Sequence, residues 1–167
     1  MVQLKEITKE NLDGVLSLSL AEHQKAFVST PADSLAQAYV YRDTAFPFAI
    51  YADDKVVGFI MLGYYESRKQ YTLWKFLIDK EHQNKGYGKA ALKQGITYVS
   101  ERYDAKEIYT GVSLGNEVAK GLYKSLGFVE TGLVEDGMEE LRLCLWTKEN
   151  RKFHGPPETR YPITILQ

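Results

Sequence analysis

Residues 78–89 read Ile-Asp-Lys-Glu-His-Gln-Asn-Lys-Gly-Tyr-Gly-Lys, a glycine-bearing turn set between an apolar run, Leu73 to Ile78, and a helix-patterned segment. Such a turn lets successive backbone N–H groups converge on one point, and the start of the following helix adds the positive end of its dipole. Gly86 and Gly88 carry no Cβ, so a phosphate can come close to the main chain. The chemistry expected here is a cradle for a diphosphate. Lys85 and Lys89 either add charge to that cradle or are simply solvated.

A second group follows on the next strand–helix unit, Asn116-x-x-Ala119-x-x-x-Tyr123-x-x-x-Gly127-Phe128. Asn116 is a helix cap by type and position. Tyr123 shares an apolar stripe with Leu122 and Leu126 and reads on spacing alone as a core aromatic. A phenol with a reference pKa of about 10 is also a proton donor at neutral pH, so both roles stand. His82 reads as a surface residue beside the turn. His23 and His154 have no partners at metal-ligand spacing, and no metal is expected. Cys144, in Leu-Arg-Leu-Cys-Leu-Trp, reads as a buried strand residue without a histidine nearby for nucleophilic work.

These groups need elements to position them. Val2–Ile7 alternates like a first strand, and Thr8 offers a cap for a helix carrying Leu12, Val15, Leu16 and Leu20. Ser29-Thr30-Pro31 starts a second helix that runs through Leu35 to about Tyr41. Phe48–Tyr51 and Val56–Tyr65 form a hairpin around Asp53-Asp54-Lys55, and Tyr71–Ile78 completes a three-strand meander. After the turn, Gly88, Ala91, Leu92, Gly95, Ile96 and Val99 lie on one helical face, at i, i+3, i+4, i+7, i+8 and i+11. Glu107–Ser113 is a strand, and a shorter helix follows Asn116 and ends at Gly127. Phe128–Leu133 and Glu140–Trp146 close the chain as an antiparallel pair around Asp136-Gly137. Gly95 and Gly111 are read as close packing of helix on sheet.

Composition narrows the class. The chain has 167 residues, 44% hydrophobic and 26% charged, with a formal net charge of −1. That is one domain with room for a core, and without the basic excess of a nucleic-acid or membrane-surface binder. No stretch approaches the ~18 apolar residues that span a bilayer, and the N-terminus carries no apolar signal region. One cysteine excludes an internal disulfide and fits a reducing compartment, so a cytoplasmic protein is expected. Residues 147–167, with Pro156-Pro157 and scattered charge, read as an extended tail of the single domain that ends at residue 146. Twelve tyrosines and two tryptophans are the compositional excess, and they are expected to matter at an acceptor site.

Gln83-x-x-Gly86-x-Gly88 and the Asn116–Phe128 pattern, in this element order, resemble the GNAT superfamily of N-acetyltransferases over essentially residues 2–146. Within it the chain resembles the bacterial spermidine/spermine acetyltransferases, in Leu73-Trp74-Lys75-Phe76-Leu77-Ile78-Asp79, in Gln83-Asn84-Lys85-Gly86-Tyr87-Gly88-Lys89 and in Tyr123-Lys124-Ser125-Leu126-Gly127-Phe128. The resemblance implies an α+β fold: a mixed, mostly antiparallel central sheet of about seven strands, splayed between the fourth and fifth and flanked by about four helices. It implies acetyl-CoA as cofactor, with the diphosphate on the amides of Gln83 to Lys89 and the pantetheine arm paired against Leu77 and Ile78. A backbone N–H there could polarise the thioester carbonyl. Cofactor contacts are implied for Phe76, Leu77, Ile78, Gln83, Asn84, Lys85, Gly86, Tyr87, Gly88, Lys89, Asn116, Lys120, Tyr123 and Lys124, and Tyr123 becomes the candidate acid that protonates the departing thiolate.

The acceptor implied is a small amine, a polyamine first, with no nucleic-acid or membrane partner and a possible homodimer. A flexible polycation is held by carboxylates and aromatic faces. Glu22, Asp33, Asp43 and Glu66 supply the first, and Tyr39, Tyr41, Tyr64, Tyr65 and Trp74 the second. Among them Glu22, Tyr39, Glu66 and Trp74 are the candidate acceptor ligands. A protonated amine cannot attack, so a base is needed, and Glu22 and Glu66 are the candidates, though no motif fixes either. An aminoglycoside, an amino acid or a protein amine would use the same cradle, and a non-catalytic acyl-CoA-binding domain would keep it as well.

Overall fold

The computed structural model describes residues 1–145, so Trp146, His154 and the expected tail lie outside the described residues. The elements run β1 (Val2–Glu6), α1 (Leu12–Leu16), α2 (Pro31–Val40), β2 (Ala45–Ala52), β3 (Lys55–Tyr65), β4 (Gln70–Ile78), α3 (Tyr87–Tyr103), β5 (Glu107–Ser113), α4 (Glu117–Lys124), β6 (Val129–Glu135) and β7 (Met138–Cys144). They build one open sheet in the order β1-β2-β3-β4-β5-β7-β6, antiparallel throughout except for β4 beside β5.

Strand alternation divides the core between the two sheet faces. In β3, Ile60 and Leu62 point toward α3 and α4 with Leu73, Leu92, Val99 and Tyr123, whereas Phe59 and Met61 point toward α1 and α2 with Val15, Ala38 and Leu77. Of these, each fully buried Val, Leu, Ile, Phe or Met side chain contributes about 1.5–3 kcal/mol of transfer free energy. Gly95 lets α3 lie close on β3, since a Cβ there would meet Ile60 Cδ1 at 3.0 Å. Gly111 makes room for a strand neighbour instead, the Met138 sulfur, 3.3 Å from where a Cβ would be.

Local chemistry explains most boundaries. Thr30 caps α2, its Oγ1 accepting from the Asp33 N–H at 3.2 Å, with Pro31 in the first turn. Asp53 and Asp54 both take positive φ in the β2–β3 turn, as do Asp136 and Gly137 between β6 and β7, which matches the right-handed twist of a tight hairpin. β2 begins earlier than expected and includes Pro47, which pairs with Met61 beyond the Glu6↔Phe48 end of the β1 pairing, where the N–H that proline lacks is not called for by β1. β6 and β7 reach to Glu135 and start at Met138, with an irregularity between Glu130 and Val134.

Three expectations need correction. The first helix does not start at Thr8 or reach Leu20: Asn11 precedes it, and it ends at Leu16 because the chain leaves to join the loop after β4. There the Ser19 N–H donates to Asp79 Oδ2 at 2.7 Å and the Lys80 N–H to the Ser19 carbonyl at 2.9 Å. Cys144 is exposed, because alternation along β7 turns Leu141 and Leu143 to the core and Arg142 and Cys144 to the other face. Much of the aromatic excess is structural. Phe46 stacks on Tyr103 at 5.0 Å, Tyr103 on Tyr71 at 5.3 Å, and Tyr71 meets Tyr64 at 4.9 Å, a ladder that joins the last residue of α3 to β2, β3 and β4.

Candidate active site

The sheet opens where β4 meets β5. The two strands pair at Thr72↔Tyr109 and Leu73↔Thr110, so among the described residues β4 has no strand beside that edge from residue 74 onward. Against β3 the register skips a residue: Leu73 faces Leu62 and Lys75 faces Met61, which leaves Trp74 as the extra residue of a bulge. Trp74 joins the α1/α2 face of the core, and Lys75 reaches the loop before α2, where its Nζ donates to Ser29 Oγ at 3.1 Å. The opening is a cleft of about 440 Å³.

At one end lies the glycine turn. Asn84 (φ +60°) and Gly86 (φ +79°) bend the chain so that α3 starts at Tyr87 with no side-chain cap. The first amides of a helix have no intrahelical acceptor, so those of residues 87–89 remain donors at the positive end of the dipole. A Cβ built on Gly86 would meet nothing within 4 Å, which is the open space an anion needs. Gly88 lines the cleft and also serves the packing of α3 on β4, since a Cβ there would lie 3.3 Å from Phe76 Cζ. Lys89 lines the cleft, whereas Lys85 bends back to donate to the Glu81 carbonyl at 3.0 Å. His82, expected on the surface, is half-buried and lines the cleft beside Tyr87.

Gln83 acts through its side chain. Its Nε2 donates to the Ile78 carbonyl at 3.0 Å and to Gln24 Oε1 at 2.7 Å, which ties the turn to the segment before α2. The bond to Ile78 holds the end of β4, whose edge is unpaired from residue 74 onward among the described residues and includes the expected Leu77 and Ile78, both of which line the cleft.

Across the cleft, Tyr123 is buried on α4 with its ring 5.7 Å from Phe128. Burial pushes its phenol up to about 12, with the Thr110 hydroxyl working weakly the other way. The hydroxyl therefore keeps its proton throughout the neutral range and is present as a donor, although burial makes it a weaker acid than a thiol of about 8.5, so the proton moves only as negative charge builds on a leaving group beside it. Asn116 both caps α4, its Oδ1 accepting from the Ala119 N–H at 3.2 Å, and lines the cleft. Lys120 and Lys124 do not reach it. Glu130 accepts from both, at 2.7 and 2.9 Å, and Glu139 from Lys120 at 2.8 Å.

The expected acceptor residues divide. Trp74 borders the main cleft and two smaller ones, and Glu66 borders one of these, about 360 Å³, with Tyr41, Tyr64, Tyr65 and Lys75. Glu22 is exposed and bound to Lys25, Tyr39 is exposed with Arg42 over its ring at 5.7 Å, and Asp33 is engaged at the start of α2. Asp43 is exposed and lines none of these clefts. The segment Gln24, Phe27, Val28 and Ser29 forms a wall that sequence reasoning missed, as it missed Thr110, Ser113 and Met138. The bonds from Gln83 and Lys75 and the packing of Val28 on the core bring that segment in, and none of these long-range contacts has a local signal. Among the described residues no group of His, Cys, Asp and Glu could hold a metal ion, and no helix is long and apolar enough to cross a membrane.

The site fits a diphosphate-bearing thioester: open amides at Gly86, an unpaired strand edge, and a protonated phenol facing the same cleft. Comparison with known proteins agrees. Residues 12–128 match the model of the acetyltransferase (GNAT) family. A spermine/spermidine N(1)-acetyltransferase of Bacillus subtilis (strain 168) is 30% identical over 149 residues, covering 84% of this chain and 95% of that protein. The fold matches that of spermidine N-acetyltransferase from Vibrio cholerae, solved in complex with CoA and spermine, with a TM-score of 0.67 at 20% identity, covering 84% of this chain and 92% of that one. It also matches PaiA N-acetyltransferase from Thermoplasma acidophilum in complex with coenzyme A, with a TM-score of 0.65 at 14% identity, covering 87% and 99%.

Proposed function

The chain belongs to the acetyltransferase (GNAT) family, and on that premise we propose that it transfers the acetyl group of acetyl-CoA to a primary amine of a polyamine such as spermidine or spermine. The observation that carries the transfer is one cleft bordered both by the open turn at Gly86 and by the buried hydroxyl-bearing ring of Tyr123. The polyamine acceptor draws support from the Bacillus relative's name and from the spermine held by the Vibrio protein.

Acetyl-CoA, when bound, supplies an acyl group activated as a thioester. Main-chain amides between Gln83 and Lys89 would hold the diphosphate, and the unpaired edge of β4, with Leu77 and Ile78, would hold the pantetheine arm. Tyr123 would hold, on its buried hydroxyl, a proton for the thiolate that acyl transfer releases. The amine attacks directly. Cys144, at the end of β7, lines none of the clefts, which favours a route without a cysteine acyl intermediate. Of the two candidate bases, Glu66 borders a cleft next to Trp74 and is the better placed to draw a proton from an arriving ammonium, whereas Glu22 faces Lys25. A cytoplasmic setting and a homodimer complete the proposal. The lone cysteine supports the first, and the exposed apolar residues Val129, Leu133 and Val134 of edge strand β6 support the second.

One observation favours a second acceptor class. Lys75 brings a cation into the cleft, and the partner shown for it is the neutral hydroxyl of Ser29. An acceptor with a carboxylate near its amine, such as an amino acid or a peptide, would satisfy it. Thiol release from acetyl-CoA across spermidine, spermine, small diamines, an aminoglycoside, an amino acid and a lysine peptide separates the two. Turnover of spermidine or spermine well above the rest supports the polyamine; preference for a carboxylate-bearing amine replaces it. Acetyl-CoA binding without turnover of any amine marks a non-catalytic domain.

A further inference from the structure

A cavity of about 190 Å³ opens beside Tyr65 and Tyr109 and shares Trp74, Thr110, Gly111 and Met138 with the main cleft. The two spaces therefore adjoin at the gap between β4 and β5, next to the bulge. Arg68, from the β3–β4 turn, lines the smaller cavity. One guanidinium nitrogen donates to Glu135, the other lies 3.5 Å from Glu140 Oε2, and the Tyr65 ring centre is 5.8 Å from the guanidinium carbon. Glu140 is held in turn by the Thr131 hydroxyl, which donates to its Oε1 at 2.9 Å. Two carboxylates and an aromatic face around one cation are what an alkylammonium would also use.

We propose that Arg68 is a specificity-determining residue for the acceptor: its guanidinium fills an ammonium subsite at the amine side of the cleft and must be displaced by the incoming substrate. The inference rests on the polyamine reading. It follows that acceptors with several charges are favoured over monoamines, because one ammonium can take the place of Arg68 while another amine reaches Trp74. The turn that carries Arg68 is exposed from residue 65 to 69, so the side chain can swing out without opening the core.

Exposed ion pairs are weak, so releasing the subsite should lower the spermine KM of Arg68→Gln by about two- to five-fold. The KM for butylamine, with a single charge, should not follow, and Arg68→Lys should restore the wild-type value. Glu140→Gln, which removes the opposite wall, should raise the spermine KM. A spermine KM that is unchanged or raised in Arg68→Gln, with the thermal midpoint retained, overturns the assignment. Calorimetry of spermine on the full chain distinguishes the two levels. Tighter binding by Arg68→Gln without turnover of any polyamine keeps the subsite and removes the acceptor reading. Normal spermine turnover with no difference between the variants keeps the reading and removes Arg68.

Discussion

A Cβ added to Gly63 would lie 2.7 Å from Cε2 of Trp74, closer than two carbons can pack, so the indole lies directly on the Gly63 backbone. That seat matters because Trp74 is the bulged residue of β4 and borders all three clefts. Gly63→Ala would push the ring off the strand, and overpacking of this kind costs about 1–3 kcal/mol. The expected result is a lower thermal midpoint together with a raised amine KM; an unchanged midpoint and KM would show that the indole has room to shift.

Tyr123→Phe removes the hydroxyl and keeps the ring packing on Phe128. Loss of a general acid lowers kcat by about 10²- to 10⁴-fold, with acetyl-CoA affinity largely retained. The phenol is raised from 10.0 to about 12 by burial, so Tyr123 contributes no alkaline limb to the rate below that value. The sign for stability is the same: the neutral phenol favours the fold below 10, and that contribution is lost between 10 and about 12 as the unfolded chain ionises first. A full rate for the phenylalanine variant would remove Tyr123 from the mechanism.

The sheet, α3 and the glycine turn before it were legible because their signals are local: the helical stripe from Gly88 to Val99, the Asp53-Asp54-Lys55 turn between two apolar runs, the glycines at 86 and 88, the cap at Asn116. Long-range pairings were not. Nothing near Leu16 announces that Ser19 will bond Asp79, or near Lys120 that Glu130 and Glu139 will take its charge. Glu22 was a candidate by type alone, and the nearby Lys25 claims it. Cys144 was different, since strict alternation after Leu141 already puts it outside.

The two glycines of the turn should separate under mutation. Gly86→Ala places a methyl in open space at φ +79°, so its stability cost is the left-handed backbone penalty of about 1–2 kcal/mol. That methyl would stand where the diphosphate is expected, and coenzyme A binding by calorimetry should weaken markedly. In Gly88→Ala the new methyl presses on Phe76, so stability falls with a smaller loss of coenzyme affinity. Equal losses of affinity in both variants would argue against amides near Gly86 as the diphosphate site.

Glu130 joins edge strand β6 to α4. Its carboxyl is held down to about 2, against an ordinary 4.5, by the hydrogen bond from Lys120 first and then the one from Lys124. A depressed folded-state value stabilises the protein above 4.5 and loses that contribution as the pH falls toward 2. Wild-type thermal midpoints should therefore decline across that window more steeply than those of Glu130→Gln, and the gap between the two proteins at neutral pH should shrink in about 1 M salt, where exposed pairs are screened. Parallel acid limbs for the two proteins would mean that the ion pairs with Lys120 and Lys124 add nothing to the docking of α4 on the β6–β7 hairpin.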